Sequence, residues 1–153
     1  MPKSLALRAL ERTTKCLWES FASFPKRRWR ESPGGRANSF QGVLTHLYWC
    51  EDWWRLNIGS TEPDDEEIIR QQLEACSSAR ELIALFNRRR RRLLRILAAQ
   101  PEGFFDDPVP TCHHGGLRTG AELCLYMGEH DFYHAGQIQM LEMALAEGKG
   151  GRR

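Results

Sequence analysis

The sequence predicts an all-α protein: a bundle of four long amphipathic helices with a long irregular connection before the last one. Three observations carry this expectation. Apolar residues recur at spacings of three and four over four long stretches. Alternating Val/Ile/Thr runs, which would signal strands, are nearly absent. Residues that cap or stop helices fall at the ends of the stretches. Four such helices bury their stripes against one another most simply as a bundle.

The first helix is expected from about Ser4 to Phe24, with Leu10, Cys16, Leu17, Phe21 and Phe24 on one stripe. Pro25 stops it, because proline has no amide hydrogen to continue the ladder. PKRRWRESPGGRANS reads as a loop that ends on Asn38 or Ser39 as the cap of the second helix. That helix runs from Phe40 to Asn57 or Ile58, with Val43, Leu44, Leu47, Cys50, Trp53 and Trp54 on a broad apolar face, and Gly59 offers a stop. A hinge at Ser60–Pro63 follows, with Thr61 or Asp64 able to cap a short acidic helix in DDEEIIRQQLEACSS. Acidic residues in its first turn suit the positive end of the helix dipole. The next long helix spans about Ser78 to Ala99, with Leu82, Leu85, Phe86, Leu93, Ile96 and Leu97 inward. Gln100 to Arg118 is expected to be irregular, since it carries three prolines and three glycines. Thr119 and Glu122 form a capping box for the last helix. It continues to about Ala146 with Cys124, Met127, Asp131, His134, Ile138, Leu141 and Leu145 on one stripe, and the tail from about 148 is expected to fray.

The length, 153 residues, fits one domain over 1–153 with a core that needs no disulfide or structural metal. Five scattered cysteines without a CxxC pair argue for reduced thiols and a cytoplasmic protein. MPKSLALRALERTTK lacks the apolar run of a secretory leader, and no stretch is apolar for long enough to span a bilayer. Net charge is only +2, so bulk charge does not announce a nucleic-acid partner. The arginine run from Arg88 to Arg92 reads first as solvated or ion-paired. Leu82, Phe86, Leu93 and Leu97 place Arg89 or Arg90 near the edge of the buried face.

His130 and His134 lie four apart in EHDFYHAGQIQ and so project from one helix face, a spacing that lets two imidazoles meet one metal ion. HxxxH alone is a weak motif. His134 shares the apolar stripe, however, and a buried imidazole needs a partner. His46 lies near the inward face of the second helix, one turn before Cys50. Three imidazoles from two helices would make a site with open positions, suited to zinc, nickel, copper or iron.

WRESPGGRANSFQGVLTHLYWCEDWW and EHDFYHAGQIQML together resemble the DinB-like (DinB/YfiT-type) family of metal-binding four-helix bundles. The second block is close to that family's HxxxHxxQI signature. The resemblance implies a metal triad of His46, His130 and His134, with Gln137 orienting a ligand or water. It implies one divalent transition metal per chain, zinc or nickel, a homodimer, and activity of the thiol-transferase type with a low-molecular-weight thiol. A metal-dependent hydrolase is the neighbouring expectation, followed by a non-catalytic metal-binding stress-response protein. A nucleic-acid-associated basic module comes last.

Hydrolysis would want a general base, for which Glu51, Asp52, Glu129 and Asp131 are available. Asp131 reads more readily as a partner that fixes an imidazole tautomer. Cys50 could be a fourth ligand or touch substrate, although a free cysteine is commonly just a small buried side chain. Tyr126, one turn before His130, could reach the pocket. Trp49, Trp53 and Trp54 read as core or dimer surface, and Cys112-His113-His114 as an exposed loop.

Overall fold

The computed structural model describes residues 1–34, 38–58, 66–110 and 117–147. Four long helices form the bundle: α1 (Lys3–Ser23), α2 (Phe40–Asn57), α4 (Ala79–Ala99) and α6 (Gly120–Glu147). The short α3 (Glu66–Glu74) and α5 (Glu102–Asp106) precede and follow α4. Helix α1 packs chiefly on α6 and α2 on α4, while α2 also meets α6 and α1 meets α4.

Local chemistry sets the ends. Lys26 lies in a short 3-10 turn (Lys26–Arg28) just past α1, and its ammonium donates to the carbonyls of Phe21, Ala22 and Phe24 at 2.5, 2.6 and 2.9 Å. A cation there satisfies carbonyls that have no helical partner. Ser39 caps α2, its hydroxyl accepting from Gly42 N at 3.1 Å, and Ser78 caps α4 through Glu81 N. The box at α6 is closed in both directions: Thr119 N donates to Glu122 Oε2 at 2.7 Å and Glu122 N to Thr119 Oγ1 at 3.1 Å. The expected stop at Gly59 and the caps at Thr61 and Asp64 lie outside the described residues.

The described parts of the connection before α6 carry regular structure that their prolines and glycines do not suggest. Helix α5 carries Phe105 into the core, fully buried. Phe104 lies so close to the start of α6 that a Cβ on Gly120 would sit 2.2 Å from its ring. Beyond α5, β1 (Val109–Pro110) pairs antiparallel with β2 (Leu117–Arg118), Val109 opposite Arg118.

The core divides into two apolar regions. One gathers Phe21, Phe24, Phe40, Leu47, Phe86 and Ile138, with Phe24 stacked on Phe40 at 4.3 Å. The other gathers Leu10, Trp54, Leu93, Leu97, Phe105 and Met127. A layer of mutually bonded buried polar residues draws one member from each long helix: Thr14 from α1, Glu51 from α2, Arg90 from α4 and Asp131 from α6. Ile69 and a hydrogen bond from Tyr48 Oη to Gln72 Oε1 at 2.5 Å hold α3 against the bundle.

Candidate metal centre

Helices α2 and α6 bring His46, His130 and His134 together. His130 Nε2 lies 3.2 Å from His46 Nε2 and 3.2 Å from His134 Nε2, and one donor atom from each ring falls within 4.8 Å of the other two. The rings are tilted to one another, at 47°, 52° and 71°, so their nitrogens converge rather than stack. With metal–nitrogen bonds of about 2.0–2.1 Å, two imidazoles on a tetrahedral ion stand about 3.3 Å apart. The spacing of this donor set fits a transition metal. His134 is buried, His130 half-buried and His46 exposed, so the group is open on the His46 side.

The protonation states fit as well. Gln137 Oε1 lies 2.9 Å from His134 Nδ1. A carbonyl oxygen accepts a proton there, which leaves His134 Nε2 with its lone pair facing His130. Burial, reinforced by the neighbouring imidazoles His134 and His46, pushes the His130 pKa down to about 4, and burial lowers that of His134. Both are therefore neutral near pH 7, the form that ligates metals. His130 Nδ1 is buried with no hydrogen-bond partner.

The imidazoles form part of the wall of a cavity of about 530 Å³. Trp53, Trp54 and Tyr126 supply an aromatic wall, the Tyr126 ring lying 5.2 Å from that of Trp54 and 6.3 Å from that of Trp53. Of the tryptophans expected in the core or at a dimer surface, Trp54 is only 2% exposed and Trp53 half-buried against it. Cys50 also faces the cavity, its Sγ 3.5 Å from His46 Nε2 and 3.7 Å from His130 Nε2. Burial first, then the nearby Glu51 carboxylate, pushes its thiol up to about 11.

Asp131 does not hold an imidazole. It is fully buried and pairs with Arg90, Nη1 to Oδ2 at 2.5 Å and Nη2 to Oδ1 at 2.9 Å, and accepts from Thr14 Oγ1 at 3.0 Å. Adjacent helical residues point about 100° apart, so Asp131 looks to the bundle centre while His130 looks to the cavity. Arg90 also reaches Glu51, Nε to Oε1 at 2.8 Å, and lies in the centre of the buried face rather than at its edge. The signal was present in the spacing: position 90 is one turn from both Phe86 and Leu93. Asp52 pairs with Arg55 at 2.5 Å, and Glu129 is exposed. Among the described residues lining the cavity there is no carboxylate. Arg89 lies over the Tyr48 ring, 4.1 Å from its centroid, whereas Arg88, Arg91 and Arg92 are exposed. Cys112, His113 and His114 lie outside the described residues. No described helix is long and apolar enough to cross a membrane.

A four-helix bundle that gathers three imidazoles from two helices on one cavity has the donor set of a metal-binding helical bundle. The chain is a member of the DinB superfamily, whose model matches residues 9–138. Its fold is similar to that of YfiT from Bacillus subtilis, a probable metal-dependent hydrolase with an unusual four-helix bundle topology. The TM-score is 0.63, at 15% identity over 94% of this chain and 87% of that one. No curated protein matches the sequence.

Proposed function

We propose that the protein binds one divalent transition metal, zinc or nickel, through His46, His130 and His134 and is a metal-dependent enzyme of the thiol-transferase type. The convergence of three imidazoles on an open aromatic cavity, with His130 Nε2 3.2 Å from the Nε2 of each of the others, is the observation that carries this reading. A bound dication supplies Lewis acidity, favouring the deprotonated form of a thiol or water. The protein's own residues do the rest. Gln137 holds His134 in one tautomer, burial keeps His130 neutral, and Trp53, Trp54 and Tyr126 offer an apolar wall for the electrophile. Thiol transfer needs a held thiolate and a positioned electrophile. Hydrolysis, the activity suggested for YfiT, would also want a carboxylate to take a proton from water, and the described lining offers none.

The test is metal content by mass spectrometry on untagged protein purified without a nickel column, wild type beside a His46→Ala/His134→Ala double variant. About one metal per chain, lost in a variant that keeps its helical circular dichroism, supports the site. Metal-dependent consumption of a low-molecular-weight thiol with an apolar electrophile then supports the reaction. Wild-type protein that takes up no stoichiometric metal after reconstitution overturns the reading. Because Arg90 and two apolar regions hold the bundle, chelation is expected to remove the metal and leave the helices folded, unlike a structural metal site.

A further inference from the structure

Four of the five cysteines are described, and they differ sharply in surroundings. Cys76 donates to the Gln72 carbonyl at 3.3 Å, and Cys124 is fully buried in the second apolar region. Cys16 lies in a groove between α1 and α6. Cys50 alone among them faces imidazoles. It follows His46 by one turn of α2, so the two side chains share a face, and α6 brings His130 opposite.

The distances to two of the three histidines are those of a donor set, while the group whose donor atoms all lie within 4.8 Å of one another is His46, His130 and His134. Metal–sulfur bonds of about 2.3 Å and metal–nitrogen bonds of about 2.0–2.1 Å, at a tetrahedral angle, place sulfur about 3.5–3.6 Å from each nitrogen. Cys50 Sγ stands 3.5 Å from His46 Nε2 and 3.7 Å from His130 Nε2, and those two nitrogens are 3.2 Å apart. A thiol one turn from His46 thus faces two ring nitrogens at the separations that a shared ion would impose. No carboxylate among the described lining residues competes for the position.

We propose that Cys50 is a fourth protein donor to the metal, seated on the His46–His130 edge of the histidine trio. The proposal rests on the metal reading above and deepens it. Ligation converts the thiol to a thiolate, the S–H proton leaving to solvent as the sulfur–metal bond forms, with no change of oxidation state. A thiolate in the set biases the site toward thiophilic ions, zinc ahead of harder cations such as manganese or magnesium.

Cobalt(II) alone is the probe, added to the full chain as purified and stripped of metal. Thiolate ligation gives cobalt(II) an intense near-ultraviolet charge-transfer band that imidazole ligation does not. The wild type is expected to show that band, and Cys50→Ala and Cys50→Ser to lose it while retaining the weaker visible bands of a histidine-bound ion. Zinc affinity, read by competition with a chromophoric chelator, is expected to fall about tenfold or more in Cys50→Ala. Wild-type protein that takes up cobalt without the band, or variants that keep it undiminished, overturns the assignment of Cys50 and leaves the three-histidine site standing. Failure of the wild type to take up cobalt or zinc at all overturns both.

Discussion

Two polar clusters draw on neighbouring residues of α2 and α6, and they are finished in opposite ways. Cys50 and Glu51 are consecutive on α2, as are His130 and Asp131 on α6, so one member of each pair turns to the cavity and the other to the bundle centre. In the centre, groups of opposite charge meet: the Arg90 guanidinium donates to both carboxylates and Thr14 completes the layer. In the cavity, groups of the same kind meet, three imidazoles and a thiol. The first arrangement pairs its charges with protein atoms, leaving one buried oxygen, Glu51 Oε2, without a partner. The second brings ring nitrogens and a thiol to within 3.2–3.7 Å of one another, with no charged side chain of opposite sign among the described lining residues. Burial of polar residues in a helical core therefore has two meanings, separated by whether the bundle supplies their counterparts.

The largest expected effect lies in the charge-paired cluster. Arg90→Met removes the only described cation between Glu51 and Asp131 and leaves two carboxylates in the core. Breaking a buried ion pair from one side costs about 3–5 kcal/mol, and urea unfolding should show a loss of that order. Replacing Glu51, Arg90 and Asp131 together with apolar residues of similar volume should recover most of it. A loss below about 1 kcal/mol for Arg90→Met would mean that the central layer is not held by charge pairing, and the contrast would fail there.

The open cluster should respond in affinity rather than stability. Gln137→Leu removes the acceptor that fixes the His134 tautomer without touching the trio. Metal affinity is expected to fall about 10- to 100-fold by chelator competition, with the unfolding of the metal-free protein little changed. An unchanged affinity with a lowered stability would place Gln137 with the structural cluster instead.

How much of this was legible in the sequence follows from the same geometry. The four long helices were, because each presents enough turns for its apolar spacing to repeat. The stripe Cys124, Met127, Asp131, His134, Ile138, Leu141, Leu145 is buried throughout. Helix α5 was not, since five residues make little more than one turn and carry no periodicity. Its order comes from Phe104 and Phe105 packing on α6 and the core, a tertiary effect. The meeting of His46 with the HxxxH pair follows from two helix faces that could be read separately. The partner of Asp131 did not, because a stripe shows that a side chain is inward without showing which helix it will meet. Arg90 was concealed by its neighbours: in a run of five arginines, composition suggests solvent, whereas spacing from Phe86 and Leu93 places the third one in the core.

The smallest expected effect separates the clusters by the sign of their pH dependence. In the metal-free protein, burial holds the His130 pKa at about 4, and that of His134 is lowered too, whereas an unfolded histidine titrates near 6.5. Between those values the unfolded chain binds more protons than the folded one, so stability falls as the pH drops from 7 toward 5. Glu51 acts in the opposite sense. Burial outweighs Arg90 and raises its carboxyl above the usual value, so its contribution is present at low pH and is lost as the pH rises. Glu81 and Glu122, whose carboxylates accept from Ser77 and Thr119 at the starts of α4 and α6, have lowered pKa values and are lost only in more acidic solution. A comparison of urea midpoints at pH 7 and pH 5 therefore isolates the two clusters. His130→Asn is expected to flatten the acid-side loss. Glu51→Gln is expected to steepen it, because the opposing contribution is gone. If His130→Asn leaves the pH 7-to-5 difference as it is in the wild type, His130 is not held neutral by burial, and the open cluster is less distinct from solvent than its geometry implies.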